Sequence, residues 1–196
     1  MSGAARPLAL VLLTSLLATA GGLACVRADA DEEGRAAQVD ASADGAPLRG
    51  GLPSLEAVAE AAVAGLVAED REALAALRID GRDFERHFAA LSNHPSAAQM
   101  GPALVWDMQS RESADELDQA LRSYGGRALE LRAIEPEGVE ARGAIVIHRR
   151  PALRVYDRER GEELRLRVLG SVIEHRPSST FALLTFRVRG EGEPAG

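Results

Sequence analysis

The side chains most suited to acid–base chemistry near neutral pH are the histidines. His148 and His175 each lie at the end of a predicted strand, and we expect the two strands to be neighbours. Two imidazoles so placed could bind a metal ion or transfer protons. Neither belongs to a metal-binding spacing such as HxxxH or HExxH. Beside Arg149 and Arg176 both are expected to face water, and we predict no metal site and no catalytic residue.

Three side chains near the middle of the chain are candidates for the lining of a pocket. Trp106 is the only tryptophan, and a buried indole N–H needs a hydrogen-bond partner. It could form the mouth of a pocket with Tyr124, with Asp107 as a neighbouring polar group. The alternative is that Trp106 only fills the core. Together with His148 and His175, these are the candidate pocket residues.

Motifs for nucleophilic catalysis and for nucleotide binding are missing from the sequence. No GxSxG surrounds a serine, so acyl transfer of that kind has no support. There is no P-loop and no GxGxxG, so a phosphate cradle is not predicted. A formal net charge of −7 argues against non-specific nucleic-acid binding, which needs a basic surface. We therefore predict no cofactor and no nucleic-acid partner.

The basic residues are all arginines, 23 in number. Arg165 and Arg167 alternate with leucines in a predicted strand, which predicts a solvated outer sheet face. Acidic residues of neighbouring strands could pair with these arginines across that face. The alternative is a surface that binds an anionic ligand. The residues concerned are Arg142, Arg149, Arg150, Arg154, Arg165 and Arg167, with Glu140, Glu163 and Glu174.

Residues 1–25 have the pattern of an export signal, with Arg6 before an apolar stretch from Leu8 to Ala20. The ending Gly22-Leu23-Ala24-Cys25 resembles a bacterial lipobox. It departs from that pattern because Gly22 stands where the family usually has leucine. The resemblance implies that Cys25, the only cysteine, carries the lipid and begins the mature protein.

Ordinary secretion, with cleavage after Ala20 or Ala24, is the alternative to lipidation. Val26 follows the cysteine, which resembles the pattern for transport to the outer membrane of diderm bacteria. Residues 26–53 hold six acidic residues against three arginines and show no apolar periodicity. They are predicted to be a flexible acidic linker, followed by a domain over 54–189 and a disordered tail over 190–196.

The domain begins with helices whose starts are marked by capping residues. Ser54, Asp70, and either Asp80 or Asp83 are the predicted N-caps of the first three. A further helical region, either one helix or two, runs from Pro102 to the stop signal at Gly125-Gly126.

Strands are predicted for the rest of the domain, over residues 127–135, 139–148, 153–157, 163–175 and 180–188, because apolar residues alternate there with polar ones. The fold class is α+β, with N-terminal helices packed on a curved antiparallel sheet of four to five strands.

This order of elements resembles the NTF2-like (SnoaL-like) superfamily, in which a curved sheet forms a cone around a helix. The run from Leu66 to Leu74, LVAEDREAL, is similar to that family's helix, acidic turn and second helix. A cystatin-like α+β fold is the alternative. The resemblance implies a fold that hosts enzymes, ligand carriers and interaction modules alike.

The function predicted from the sequence is that of an exported, lipid-anchored envelope protein with a non-catalytic domain. That domain would bind an unidentified envelope protein or small molecule, or associate as a homodimer. The alternative is a small enzyme that uses a polar group inside the cone.

Overall fold

The computed structural model describes residues 45–92, 95–189 and 193–194. The predicted signal peptide, Cys25 and most of the predicted linker lie outside the described residues. Six helices precede the strands in the described part of the chain: α1 (Leu55–Val67), α2 (Arg71–Ala76), α3 (Gly81–Arg86), α4 (Phe88–Leu91), α5 (Pro95–Met100) and α6 (Pro102–Tyr124). The strands are β1 (Leu129–Glu135), β2 (Gly138–Arg142), β3 (Ile145–Arg149), β4 (Ala152–Asp157), β5 (Glu162–Leu166), β6 (Leu169–His175), β7 (Thr180–Phe186) and β8 (Glu193–Pro194).

The first three helices begin at capping side chains. Ser54, Asp70 and Asp80 each accept the backbone N–H of the residue three positions further on, at 2.9–3.0 Å. Each bond satisfies an N–H that a helix start would otherwise leave without a partner. The predictions for Ser54 and Asp70 are confirmed, and Asp80 is the cap of the third helix.

The region from Pro102 to Tyr124 is one helix of 23 residues. It ends at Gly125, and Gly126 follows with a φ of +69°, which favours glycine. The Gly126 N–H donates to the Leu66 carbonyl at 3.0 Å, so the end of α6 is tied to the end of α1. Among the described residues, no helix is both long enough and apolar enough to cross a membrane.

The strands form two antiparallel sheets, in the order β1-β4-β5-β8 and β2-β3-β6-β7. The α+β class is confirmed. The predicted single sheet of four to five strands is instead divided, because its long strands are interrupted where they bend. The interruptions fall at 136–137, 150–151 and 167–168. Pro136 and Pro151 lack the N–H that a continuous ladder needs.

The register of the ladder continues across the bend. Glu135 pairs with Ala152 in one sheet, and Gly138 pairs with Arg149 in the other. Each strand has advanced by three residues between these two pairs, so β1–β2 and β3–β4 form one long bent hairpin. Its turn is Gly143-Ala144, with Gly143 at a φ of +59°.

The prediction of one strand over residues 139–148 is therefore wrong. Apolar residues keep to odd positions through the turn, at Val139, Ala141, Ile145 and Ile147, so the sequence has the pattern of one strand. In the hairpin, however, odd positions pair with even ones, as Val139 does with His148, so the two apolar sets lie on opposite faces. Ile145 and Ile147 are buried, whereas Val139 is 60% exposed. The predicted strand over 163–175 is likewise divided, into β5 and β6.

Two hydrophobic clusters hold the helices against the strands. The first joins α1, α2 and the end of α6 to β1, β4 and β5, and the second surrounds Phe84 of α3. Both clusters contact the sheet that contains β6. Val172 belongs to the first cluster and Ile173 to the second. This sheet is therefore buried on both faces, which its nearly continuous apolar strands reflect.

The domain begins before residue 54, which corrects the predicted end of the linker. Leu48 is 3% exposed and packs in the second cluster. Leu52 exchanges backbone hydrogen bonds with Phe181, at 2.8 Å in both directions. Burial of an apolar side chain is favourable even when the surrounding segment is polar. β7 is an edge strand of its sheet, so its backbone groups are available to pair with residue 52.

At the other end of the chain, Glu193 and Pro194 pair with Arg165 and Leu164. The prediction of a disordered tail is therefore wrong for these two residues. The remaining positions of that tail lie outside the described residues.

Candidate functional site

A groove lies between α6 and the bend of the strands, and we call it the arginine groove. It consists of two adjoining cavities of about 260 and 420 Å³ that share Arg150, Ser171, Leu184 and Arg189. Helix α6 supplies one wall, and the ends of β3, β6 and β7 supply the floor. The complete lining is Leu91, Gln109, Glu112, Ser113, Ile147, Arg149, Arg150, Gly170, Ser171, Leu184, Thr185, Phe186, Arg187 and Arg189.

Arg150 enters the groove from a left-handed backbone conformation between β3 and β4. Its φ is +42°, which side chains other than glycine rarely adopt. The following residue, Pro151, cannot continue the ladder. The Arg150 N–H instead donates to the Gly170 carbonyl at 2.8 Å. Strained backbone of this kind persists where surrounding contacts hold it, and it is concentrated at functional sites.

The floor of the groove contains an irregular segment of β6. The register between β6 and β7 shifts on both sides of Ser171. Gly170 approaches β7 so closely that a Cβ atom there would lie 2.9 Å from the Thr185 carbonyl oxygen. Only glycine fits at this position without a shift of the backbone. Such bulges re-aim side chains at the rims of sheets and beside active sites, and this one places Ser171 in the groove.

Two polar residues of α6 occupy its buried stripe. Ser113 is 1% exposed, and its Oγ accepts the Phe186 N–H at 2.9 Å. One turn earlier, the Gln109 Oε1 is buried and has no hydrogen-bond partner among the described residues. Buried amide groups almost always have partners, so this side chain has unused bonding capacity in the wall of the groove.

The groove is positively charged. Its lining has four arginines and one glutamate, an excess of three positive charges in a chain whose net charge is −7. Arg149 and Arg150 pair with Glu140 and Glu137 at 2.8 and 2.9 Å, outside the lining, so an excess remains when these carboxylates are counted.

The remaining two arginines differ in their pairing. Arg187 pairs with Glu112. Arg189 has no ion pair with a carboxylate among the described residues. The arrangement is suited to hold negative charge.

The five candidate pocket residues are not part of this groove. His148 and His175 are on adjacent strands, but His148 pairs with Val172 and His175 pairs with Ile145. Directly paired residues share a face, and the side chains alternate along each strand. The two imidazoles therefore lie on opposite faces of the sheet and cannot bind one ion. Their expected exposure to water is also wrong, since His175 is 0% exposed and His148 is largely buried.

His175 pairs with Ile145 of the second hydrophobic cluster and takes part in a polar network. Its Nδ1 lies 2.7 Å from the Ser178 Oγ, which lies 2.8 Å from the Thr180 Oγ1. The Thr180 hydroxyl in turn accepts the Leu48 N–H at 3.2 Å. This network ties residue 48 to the β6–β7 hairpin, so its contribution is structural. The His87 ring packs against His175 with centroids 5.1 Å apart.

His148 lies on the other face, beside Phe181 and Glu174. Its Nε2 is 3.3 Å from the Glu174 carboxylate, and its ring centroid is 5.8 Å from that of Phe181. Glu174 was expected to pair with an arginine of the solvated sheet face, and it pairs with this histidine instead. Elsewhere on that face the predicted pairing is confirmed, with Arg154 and Glu163 at 3.0 Å.

Trp106, Asp107 and Tyr124 lie in three different environments. Trp106 stacks on Phe84, with centroids 5.2 Å apart, and a Cβ added to Gly81 would lie 2.9 Å from its Nε1. Tyr124 is 4% exposed in the first cluster. Asp107 is on the exposed face of α6, in an ion pair with Arg111 at 2.8 Å. The structure therefore does not join these three side chains in one pocket.

Sequence reasoning missed Gln109, Ser113 and Ser171. A signal for the first two exists in α6, because Gln109 and Ser113 interrupt an apolar stripe that runs from Val105 to Leu117 at steps of four. For Ser171, the signal is the isolated glycine before it in a strand pattern, which suggests a bulge.

Within the ranges that the structure describes, no three His, Cys, Asp or Glu side chains are grouped so that they could hold a metal ion. No protein-family model, curated protein or solved structure matches the chain. The function of the chain is therefore inferred from the geometry of the groove.

Proposed function

We propose that this chain is an exported, lipid-anchored envelope protein whose domain binds a ligand in the arginine groove without transforming it. The observation that carries the proposal is that three departures from regular structure border the same groove. These are the left-handed backbone of Arg150, the bulge at Gly170-Ser171 and the unpaired side-chain oxygen of Gln109. Each is unfavourable in a structure selected only for stability, and such departures are expected at functional sites.

The ionisable groups of the lining favour binding over catalysis. Arginine stays protonated at any physiological pH, so the four arginines can hold charge but cannot exchange protons. The one lining carboxylate, Glu112, is 56% exposed and paired with Arg187. The guanidinium groups of the groove therefore remain charged hydrogen-bond donors at any physiological pH, which suits the recognition of a ligand.

For the fold, we propose the NTF2-like cone, with the cystatin-like arrangement as the alternative. The support is that paired long strands keep their register across the bend, as at Glu135–Ala152 and Gly138–Arg149. Helix α1 covers the inner side of β1 and β7 through Val58, Ala62 and Leu66.

Export and anchoring are supported by the pattern of residues 1–25 and by Cys25. A lipid on Cys25 would hold the domain at the membrane, and the acidic linker would separate the two. The bound partner would then be a small molecule or a protein of the cell envelope. A homodimer is the further alternative for the exposed surfaces of the domain.

The test of ligand binding is native mass spectrometry of the mature protein purified from its own host, beside the same sample after denaturation. We expect an extra mass that is lost on denaturation. Ser171→Trp, which fills the groove, should lack this mass, whereas Ser123→Trp on the outside of α6 should retain it. An adduct that survives in the filled variant, or no adduct on the wild-type protein, would count against the proposal.

A further inference from the structure

The chemistry of the arginine groove identifies the class of ligand that it fits, and this inference rests on the proposed function. The polar part of the groove lies where Arg150 and Arg189 meet Ser171. Arg150 uses its Nε in the ion pair with Glu137, which leaves its terminal N–H groups for another acceptor. Glu137 also lies 3.4 Å from Arg167, so it holds the Arg150 side chain in place from outside the groove.

Neighbouring hydroxyl groups complete the polar part. Ser171 and Thr185 contribute these hydroxyls, and Gln109 belongs to the same lining. Guanidinium groups bind carboxylate and phosphate oxygens through charge-assisted hydrogen bonds, which are stronger than neutral ones. The two hydroxyls can donate to the remaining oxygens. The unpaired atom of Gln109 is its Oε1, an acceptor, and it does not contribute to the binding of an anion. The polar part of the groove is therefore matched to a single anionic group.

The adjoining part of the groove has an apolar surface. Leu91, Ile147 and Leu184 line the larger cavity of about 420 Å³, together with the arginines. Ile147 and Leu184 also belong to the second hydrophobic cluster, so their position is fixed by the core. An apolar group placed against them would leave water at a gain of about 25 cal/mol per Å² of buried surface.

We infer that the arginine groove binds a small amphiphilic anion. Its carboxylate or phosphate group contacts Arg150 and Arg189, and its apolar chain packs on Leu91, Ile147 and Leu184. The two cavities together have the size of an ordinary small-molecule site. A nucleic acid is excluded as the occupant, because a chain with a net charge of −7 would repel an extended polyanion outside this local excess.

The test is isothermal titration calorimetry of the full-length mature protein with octanoate, octyl phosphate and the uncharged octanamide. We expect one of the anions or both to bind, and octanamide to bind at least about tenfold more weakly, because it lacks the charge-assisted bonds. Arg150→Gly and Arg189→Ala should each weaken the binding of the anion by about tenfold. Arg160→Ala, which removes an exposed arginine of the β4–β5 turn, is the charge-matched control and should bind as the wild type does.

The outcomes separate this inference from the proposed function. Equal binding of octanamide and octanoate, abolished by Ser171→Trp, would overturn the anionic class of ligand and leave the groove as a binding site. An equal loss of anion affinity in Arg160→Ala and Arg150→Gly would mean that the anions respond only to the overall charge of the protein. That result would also overturn the inference. If none of the three probes binds, the inference fails, and native mass spectrometry then decides the proposed function independently.

Discussion

The Arg150 N–H donates to the Gly170 carbonyl at 2.8 Å, and this bond joins two irregular points of the strands. Arg150 lies between β3 and β4, and Gly170 lies in the bulge of β6. The bond holds the strands together where the ladder is interrupted. It also fixes the backbone from which the Arg150 side chain enters the groove, so the bend of the sheet and the position of the charge have one structural origin.

Gly170→Ala should destabilise the domain by about 1–3 kcal/mol, because the new methyl group would press on β7. Its Cβ would lie 2.9 Å from the Thr185 carbonyl oxygen, and backbone cannot move aside as a flexible side chain can. Urea unfolding followed by circular dichroism measures the change. The matched control is Gly138→Ala, where no atom lies within 4 Å of the added Cβ. Equal stability of the two variants would show that β6 and β7 are not so close.

Ser113→Ala should cost about 1–3 kcal/mol, because the Phe186 N–H would lose its acceptor in a buried position. Ser110, on the same helix, has only a 3.5 Å contact with Arg78, and Ser110→Ala should change stability by less than about 0.5 kcal/mol. The midpoints of urea unfolding compare the two variants. A larger loss for Ser110→Ala than for Ser113→Ala would contradict the placement of α6 on β7.

Asp157 should make the stability of the domain depend on pH in the acid range. Burial alone raises the pKa of its carboxyl, but hydrogen bonds from the Arg127 guanidinium and from the Arg160 and Glu159 N–H groups outweigh burial and hold that pKa below its ordinary value. A carboxyl with a lower pKa in the folded than in the unfolded chain stabilises the fold above its unfolded-state pKa. That contribution is lost as the pH falls through the folded-state pKa.

Asp157→Asn should therefore be less stable than the wild type by about 2 kcal/mol at neutral pH. The difference should stay constant down to about pH 4 and shrink at lower pH. Thermal unfolding at a series of pH values measures it. Asp118, paired with Arg71 at 2.8 Å on the exposed surface, supplies the control, since Asp118→Asn should have a much smaller effect. If the stability difference between the wild type and Asp157→Asn grew as the pH fell, the stabilising role of the ionised Asp157 carboxylate would be contradicted.

Cys25→Ala should release the protein from the membrane fraction of its native host, because the thiol is the proposed site of lipidation. Ser42→Ala, in the predicted linker, should stay in that fraction. Fractionation is combined with the mass of the mature N-terminus. If the Cys25→Ala protein fractionates as the wild type does and the wild-type N-terminus carries no lipid mass, anchoring through Cys25 is rejected.

The parts of the fold that depend on local interactions could be predicted from the sequence. Ser54 and Asp70 cap their helices through bonds to residues three positions away, and Gly125-Gly126 ends α6, so the signal and the structure lie in the same short stretch. The turn at Gly143-Ala144 was missed although it is local, because apolar residues keep to odd positions on both sides of it, while the hairpin places the two sets on opposite faces.

The candidate site depends on contacts between distant parts of the chain and could not be predicted. In the sequence, His175 stands at the end of a predicted strand and directly before an arginine, which suggests exposure. Its burial follows from the helices that cover that face of β6. Ser113 and Phe186 are 73 positions apart in the chain. The groove forms only when α6, the bend at Arg150 and the bulge at Gly170 come together, and no single stretch of sequence contains it.

The most direct test of the ligand site in the arginine groove is a map of backbone amide chemical shifts during a titration of the protein with octanoate. We expect the shifts to concentrate at Ser113, Gly170, Ser171 and Thr185 and to disappear in Arg150→Gly. Shifts centred on His175 and Ser178, or an unchanged spectrum at saturating octanoate, would contradict this expectation.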